Sequence, residues 1–115
     1  MIDAAKKIEV VEKYMLAVST NNLDLIREIY ADNATVEDPV GTPPKEGIDA
    51  IMAFYGGFGA LGVKLQLNGS VKCAGNAAAF PFTASIGPKI LDIIDVFEFN
   101  NEGKVVSMKA YWSAE

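Results

Sequence analysis

The sequence predicts an α+β fold in which three short helices precede a run of mostly antiparallel strands. Apolar residues at helical spacing are confined to roughly the first half of the chain. Beyond it, apolar residues alternate with polar ones, and turn signals such as "GN" and "NNEG" separate the alternating segments. This order is typical of a sheet that carries its helices on one face. We expect a single domain over residues 1–115, with a strongly curved, cone-shaped sheet and helices packed over a deep apolar pocket.

Each predicted helix has its own start or stop signals. Asp3 and Asn22 are suitable N-caps for the first two helices. Tyr30 occupies an apolar position of the second helix, and the glycine-rich "GGFGALG" ends the third. The predicted helices cover residues 3–20, 22–31 and 47–58.

The predicted strands are bounded by glycine, proline and asparagine. Gly69 indicates a bend between two of them, and Pro81, which has no N–H to donate, indicates an edge or a bulge. The predicted strands cover residues 34–38, 62–68, 70–74, 78–86, 90–99 and 104–112.

Composition excludes several classes of function. The net charge is −5 and the basic residues are scattered, which argues against a nucleic-acid or anionic-membrane partner. No apolar run approaches the roughly 20 residues that span a bilayer, and the first residues lack a secretory signal, so we expect a cytoplasmic protein. With no histidine and one cysteine, ordinary zinc sites, His-based nucleophile couples and an internal disulfide are all ruled out. We expect any chemistry to use carboxylates, tyrosine, lysine or Ser/Thr, with no cofactor and no metal.

The stretch "LDIIDVFEF" at 91–99 has an acid where a strand should be apolar. Alternation places Asp95 on one face with four large apolar residues, whereas Asp92 lies on the other, mixed face. Burial would raise the pKa of Asp95 and leave a neutral carboxylic acid, which is a hydrogen-bond donor. The alternative is a structural acid satisfied by neighbouring donors.

A second acid and three tyrosines are further candidates. Asp38 ends the strand "ATVED" before a proline, and alternation directs it away from Glu37; the alternative is a solvated strand end. Tyr14, Tyr30 and Tyr55 occupy or border apolar helix positions, where a core role is the simpler interpretation. Their hydroxyls would still need partners, and one network with Asp95 would supply them.

These features together resemble the Δ5-3-ketosteroid isomerase family, within the fold class shared with nuclear transport factor 2 and limonene epoxide hydrolase. The resemblance covers nearly the whole chain. The matching segments are "YADNATVEDPVG" at 30–41, "AFY" at 53–55, "IDVFEFNNEGKVVSM" at 94–108 and "AYW" at 110–112, together with Tyr14. This family is the established example of a carboxylic acid kept neutral so that it can donate a hydrogen bond.

The resemblance implies a role for each candidate. Asp38 would be the general base that moves a proton from C4 to C6 of a steroid, and Tyr14 with protonated Asp95 would form the oxyanion hole. Tyr55 and Tyr30 would support Tyr14. The implied pocket wall comprises Val18, Phe54, Phe82, Phe97, Met108 and Trp112, with Trp112 also orienting Asp38. The implied substrate is a 3-oxo-Δ5-steroid or a similar apolar ketone.

Other functions of the same fold remain open. Epoxide hydrolases, dehydratases and cyclases of this fold generally use a histidine or an Asp-Arg-Asp set, and this chain has no histidine and one arginine, Arg27. A non-catalytic binder of hydrophobic ligands would have no need of a buried acid. The resemblance also implies a homodimer through the outer sheet face, with Ile90, Ile94 and Val96 supplying apolar area.

Overall fold

The computed structural model describes residues 1–113, so the last two residues of the predicted domain lie outside the described part. The helices are α1 (Ala4–Ser19), α2 (Leu23–Ile29) and α3 (Ile48–Gly56), followed by a 3₁₀ turn at Gly59–Leu61. Both predicted N-caps are confirmed: Asp3 accepts from the N–H of Lys6 at 2.9 Å, and Asn22 from that of Leu25 at 3.2 Å. None of the helices in residues 1–113 is long and apolar enough to span a membrane.

Within residues 1–113, seven strands form one sheet: β1 (Tyr30–Glu37), β2 (Lys45–Glu46), β3 (Lys64–Leu67), β4 (Lys72–Ala74), β5 (Ala77–Ile86), β6 (Lys89–Phe99) and β7 (Val105–Tyr111). Their order is β2-β1-β7-β6-β5-β3, with β4 also paired to β5. The pairs are antiparallel except for β1 with β7, which is parallel. The predicted α+β class and mostly antiparallel sheet are therefore confirmed.

Tyr30 lies in a strand, so its predicted position in the second helix is wrong. The helix ends at Ile29, and Tyr30 has extended backbone angles and pairs with Val105 of β7. Its ring is buried at 2% exposure, so the apolar position was read correctly but assigned to the wrong element. The helical pattern continued by chance into residues whose conformation is decided by pairing with a distant strand.

Pro81 lies in the middle of β5, at the point where the neighbouring strand changes. Phe82 is paired with Leu67 of β3, whereas Ala79 is paired with Lys72 of β4. In the gap between them, the carbonyl of Pro81 accepts from the N–H of Asn68 at 3.0 Å. The missing N–H of proline thus falls at an interruption of the ladder, as the sequence predicted.

The two faces of β6 have opposite characters. Asp95, Phe97 and Phe99 are buried under the helices, whereas Ile94 and Glu98 are exposed on the outer face. The predicted alternation is therefore confirmed. It also places Asp95, at 1% exposure, on the inner face of the sheet.

Candidate active site

A cavity of about 230 Å³ lies between the helices and the inner face of the sheet. Its wall includes four residues with polar side-chain atoms: Tyr14 from α1, Asp38 after β1, Asp95 from β6 and Trp112 after β7. Everything else in the wall is apolar. Tyr14, Asp38 and Asp95, which the sequence predicts to carry the chemistry, are thus brought together from elements that are far apart in the chain.

Asp95 is a buried acid without a hydrogen-bond partner. Neither carboxyl oxygen is hydrogen-bonded to any part of residues 1–113. Burial raises its pKa well above the usual range, the charge of Asp38 raises the pKa further, and the nearby Tyr14 hydroxyl lowers the pKa in part. Burial and the charge of Asp38 thus both favour the neutral form of the Asp95 carboxyl group, which can donate a hydrogen bond.

The three predicted tyrosines form a chain of hydroxyl groups. The Tyr30 and Tyr55 hydroxyls are 2.6 Å apart, and those of Tyr55 and Tyr14 are 3.0 Å apart. Burial raises the pKa of all three well above the usual range, so they remain neutral donors. Only Tyr14 lies in the cavity wall. If Tyr30 donates to Tyr55 and Tyr55 to Tyr14, the Tyr14 proton points to the cavity.

Asp38 follows the end of β1 and is half-buried. Its Oδ1 accepts a hydrogen bond from the indole Nε1 of Trp112 at 2.6 Å. Burial raises the pKa of Asp38, and the Trp112 hydrogen bond and the positive charge of Lys45 counteract that rise. Glu37 accepts instead from the Gly41 N–H at 2.8 Å, so these adjacent acids have separate partners as alternation suggested.

The predicted wall residues divide into two groups. Val18, Phe54, Phe82 and Trp112 line the cavity. Phe97 and Met108 do not; both lie in the core at 1% exposure or less. Phe97 is covered because its ring packs edge-to-face on Tyr14 and Phe80, with centroids 5.1 and 5.0 Å apart.

Sequence reasoning missed much of the apolar wall. Phe58 and Leu61 come from the glycine-rich segment that was interpreted only as the end of a helix. No periodic signal marks them. Leu91 and Ile93 also line the cavity, and their alternation with Asp95 was a signal that could have identified them.

The fold agrees with comparisons to known proteins. The sequence matches the SnoaL-like domain over residues 11–108. It is 36% identical over 106 residues to the curated "Steroid Delta-isomerase" of Nocardioides simplex, across 90% of this chain and 86% of that protein. A solved epoxide hydrolase/cyclase-like enzyme, described for pyran ring formation in the polyether salinomycin, has a TM-score of 0.91 and 29% identity, across 99% of this chain and 95% of its own.

The chain therefore belongs to the SnoaL-like family. Its similarity to the curated Delta-isomerase identifies it as an isomerase.

Proposed function

We propose that the chain isomerises 3-oxo-Δ5-steroids, moving the double bond from C5=C6 to C4=C5 through a dienolate. The observation that carries this proposal is the pair of unlike carboxyl groups in one cavity. Asp38 is half-buried and accepts a hydrogen bond from Trp112, whereas Asp95 is buried and unpartnered. Two acids whose surroundings separate their pKa values suit a base and an acid respectively.

Asp38 is the proton carrier in this proposal. Its carboxylate takes a proton from C4, the C4–H electron pair forms the C3=C4 bond of a dienolate, and the C3 oxygen becomes negative. The C3 oxygen then reforms its carbonyl, the C3=C4 pair becomes the C4=C5 bond, and the C5=C6 pair takes the same proton from the Asp38 carboxylic acid at C6. No net proton is gained or lost. A positioned base of this kind contributes typically 10²–10⁴-fold to a rate.

Tyr14 and Asp95 stabilise the oxygen in the same scheme. Both lie in the cavity wall, and burial raises the pKa of each, which favours the neutral form that can donate a hydrogen bond. A dienolate oxygen placed between them would accept a hydrogen bond from each. In a dry site, removing one such donor typically costs 10²–10³-fold in rate. The Tyr30 and Tyr55 hydroxyls support Tyr14 by supplying it with a donor.

The proposed substrate follows from the rest of the wall. Apart from the four residues with polar atoms, the cavity offers only hydrocarbon and aromatic surface. A flat, apolar ketone gains from such surface by desolvation and has one oxygen for the two donors. The name of the Nocardioides simplex relative supports a steroid in particular.

Enzymes of epoxide hydrolase or cyclase type are the main alternative, because the similar solved structure has that description. Such families often use arginine between two acids. Arg27, the one arginine, is exposed in the last turn of α2 and does not line the cavity. The isomerase proposal is therefore favoured.

The deciding assay mixes the protein with a 3-oxo-Δ5-steroid and follows the ultraviolet absorbance of the conjugated enone. A rise that Asp38→Asn reduces by 10²–10⁴-fold is expected. Asp92→Asn, on the exposed outer face of the same sheet, is the matched control and should keep the wild-type rate. No rise above the buffer rate would overturn the proposal.

We further propose that the chain forms a homodimer through its outer sheet face. Ile90, Ile94 and Tyr111 are exposed there at 68%, 49% and 48%, and Ile94 pairs directly with Tyr111. Light scattering at micromolar concentration should give twice the chain mass, and Ile94→Lys should give one chain mass. Leu16→Lys, at an exposed apolar position on α1, is the control. A monomeric wild type would contradict the dimer.

A further inference from the structure

Lys45 is a charged residue beside the cavity that the proposed chemistry has not used. It lies in β2, the edge strand of the sheet, and is half-buried. Its Nζ lies over the ring of Phe54, 5.1 Å from the ring centroid. Phe54 belongs to α3 and forms part of the cavity wall, so the ammonium group contacts a residue of that wall.

The strand register directs Lys45 to the same side as Asp38. Lys45 pairs with Val36 of β1, and residues directly opposite each other share a face of the sheet. Val36 is completely buried, so this is the inner face. Asp38 follows Val36 by two residues, which is the spacing of one face in an extended chain. Asp38 lies one residue beyond the end of β1 and lines the cavity, so Lys45 and Asp38 are both directed to this face of the sheet.

The ammonium group of Lys45 contacts the Phe54 ring and forms no ion pair with the Asp38 carboxylate. Among residues 1–113, Lys45 forms no ion pair, and the hydrogen bond to Asp38 comes from Trp112. A direct ion pair would occupy a carboxylate oxygen that the base needs for the C4 proton. A cation on an aromatic face supplies its field without occupying either oxygen.

Among the described titratable groups around Asp38, Lys45 is the one whose positive charge lowers the pKa of Asp38. Burial raises the pKa values of Tyr14 of α1, Tyr30 of β1 and Asp95 of β6, and the Asp38 charge raises them further, so none of these groups supplies a positive charge. Glu37 is committed to the Gly41 N–H, and Glu46 of β2 is exposed. Burial disfavours an ionised Asp38, and Lys45 opposes that effect.

We propose that Lys45 is a positioning residue for the base: its ammonium group, held on the ring of Phe54, keeps Asp38 ionised and unblocked in an apolar cavity. This inference rests on the proposed function, in which Asp38 is the base. It predicts that removing the charge raises the pKa of Asp38. The acid limb of the pH–rate profile then moves to higher pH, because the base must be ionised to act.

The experiment titrates the Asp38 carboxyl by ¹³C NMR in the whole chain without substrate. Lys45→Met should raise the pKa, whereas Lys45→Arg should keep it near the wild-type value, since guanidinium is charged and also stacks on aromatic rings. Lys109→Met is the matched control. Lys109 pairs with Glu37, next to Asp38, but is exposed between buried Met108 and Ala110, so it points to the outer face.

Two readouts separate this role from a structural one. The acid limb of kcat/KM should shift with the NMR titration, and the difference between wild type and Lys45→Met should shrink in 1 M salt, where charges are screened within about 3 Å. An unchanged Asp38 pKa in Lys45→Met, or an equal shift in Lys109→Met, would overturn the inference. If Lys45→Met does not fold, Lys45→Gln replaces it. The titration needs no turnover, so it decides the role of Lys45 even if the steroid assay fails.

Discussion

The indole N–H of Trp112 donates to Oδ1 of Asp38 at 2.6 Å, joining two residues that are 74 positions apart in the chain. Asp38 lies just beyond the end of β1 and Trp112 just beyond the end of β7. These two strands are parallel neighbours, so the carboxyl ends of both strands lie at the same edge of the sheet. The hydrogen bond therefore follows from topology, and it holds the proposed base in one orientation.

Trp112→Phe should keep the aromatic wall but remove that hydrogen bond. A hydrogen bond to a charged group is worth roughly 1.5–3 kcal/mol, so we expect kcat/KM to fall about tenfold or more. The same bond lowers the pKa of Asp38, so its loss should also move the acid limb to higher pH. Steady-state kinetics across pH test both effects. A fall in rate with an unmoved acid limb would contradict the assigned hydrogen bond.

The Asp95 carboxyl group should lower the free energy of unfolding and raise the rate of the reaction. Asp95→Asn keeps a hydrogen-bond donor and should retain much of the rate, whereas Asp95→Ala removes the donor and should lose on the order of 10²-fold. Because a buried polar group without a partner costs about 1–3 kcal/mol, Asp95→Ala should equal or exceed wild type in free energy of unfolding. Urea unfolding and the enone assay measure the two properties. A strongly destabilised Asp95→Ala would indicate a structural acid.

Stability should also depend on pH through Asp95. Its pKa is raised in the folded protein, so the folded chain keeps a proton that the unfolded chain releases. The free energy of unfolding should therefore fall as pH rises from the unfolded pKa of Asp95 through its higher folded pKa. Below the unfolded pKa this contribution is fully present. Asp95→Asn should flatten that part of the curve, measured by urea unfolding at several pH values. An equal slope in Asp95→Asn would assign the effect to other groups.

The tyrosine chain should act through Tyr14. Tyr55→Phe removes the hydroxyl between Tyr30 and Tyr14, so the rate should fall, but by less than in Tyr14→Phe, which removes a donor to the substrate oxygen. Tyr111→Phe is the control, because Tyr111 is 48% exposed and does not line the cavity. Enone kinetics of the three variants test the order. Equal rates for Tyr55→Phe and Tyr111→Phe would argue against a supporting chain.

Local patterns account for the parts of the fold that were predicted well. Both N-caps, the change from helices to strands and the two faces of β6 depend on residues close together in sequence. The assignment of Tyr30 to a helix was wrong because its conformation depends on Val105, which is 75 positions away. The sequence does not predict the two-residue strand β2, which carries Lys45, because two residues are too few to show a periodicity. Its conformation depends on pairing with β1.

The sequence by itself determined the chemical types available: carboxyl groups and tyrosines without histidine, and one acid on an apolar strand face. Alternation was enough to separate Asp95 from Asp92, since side chains in a strand change face at every residue. Only the tertiary structure decided which groups meet. It left Asp95 without a partner, joined Trp112 to Asp38 and buried Phe97 behind Tyr14. Hydrogen bonds and burial depend on distances between remote segments, and those distances are fixed only when the helices pack on the sheet.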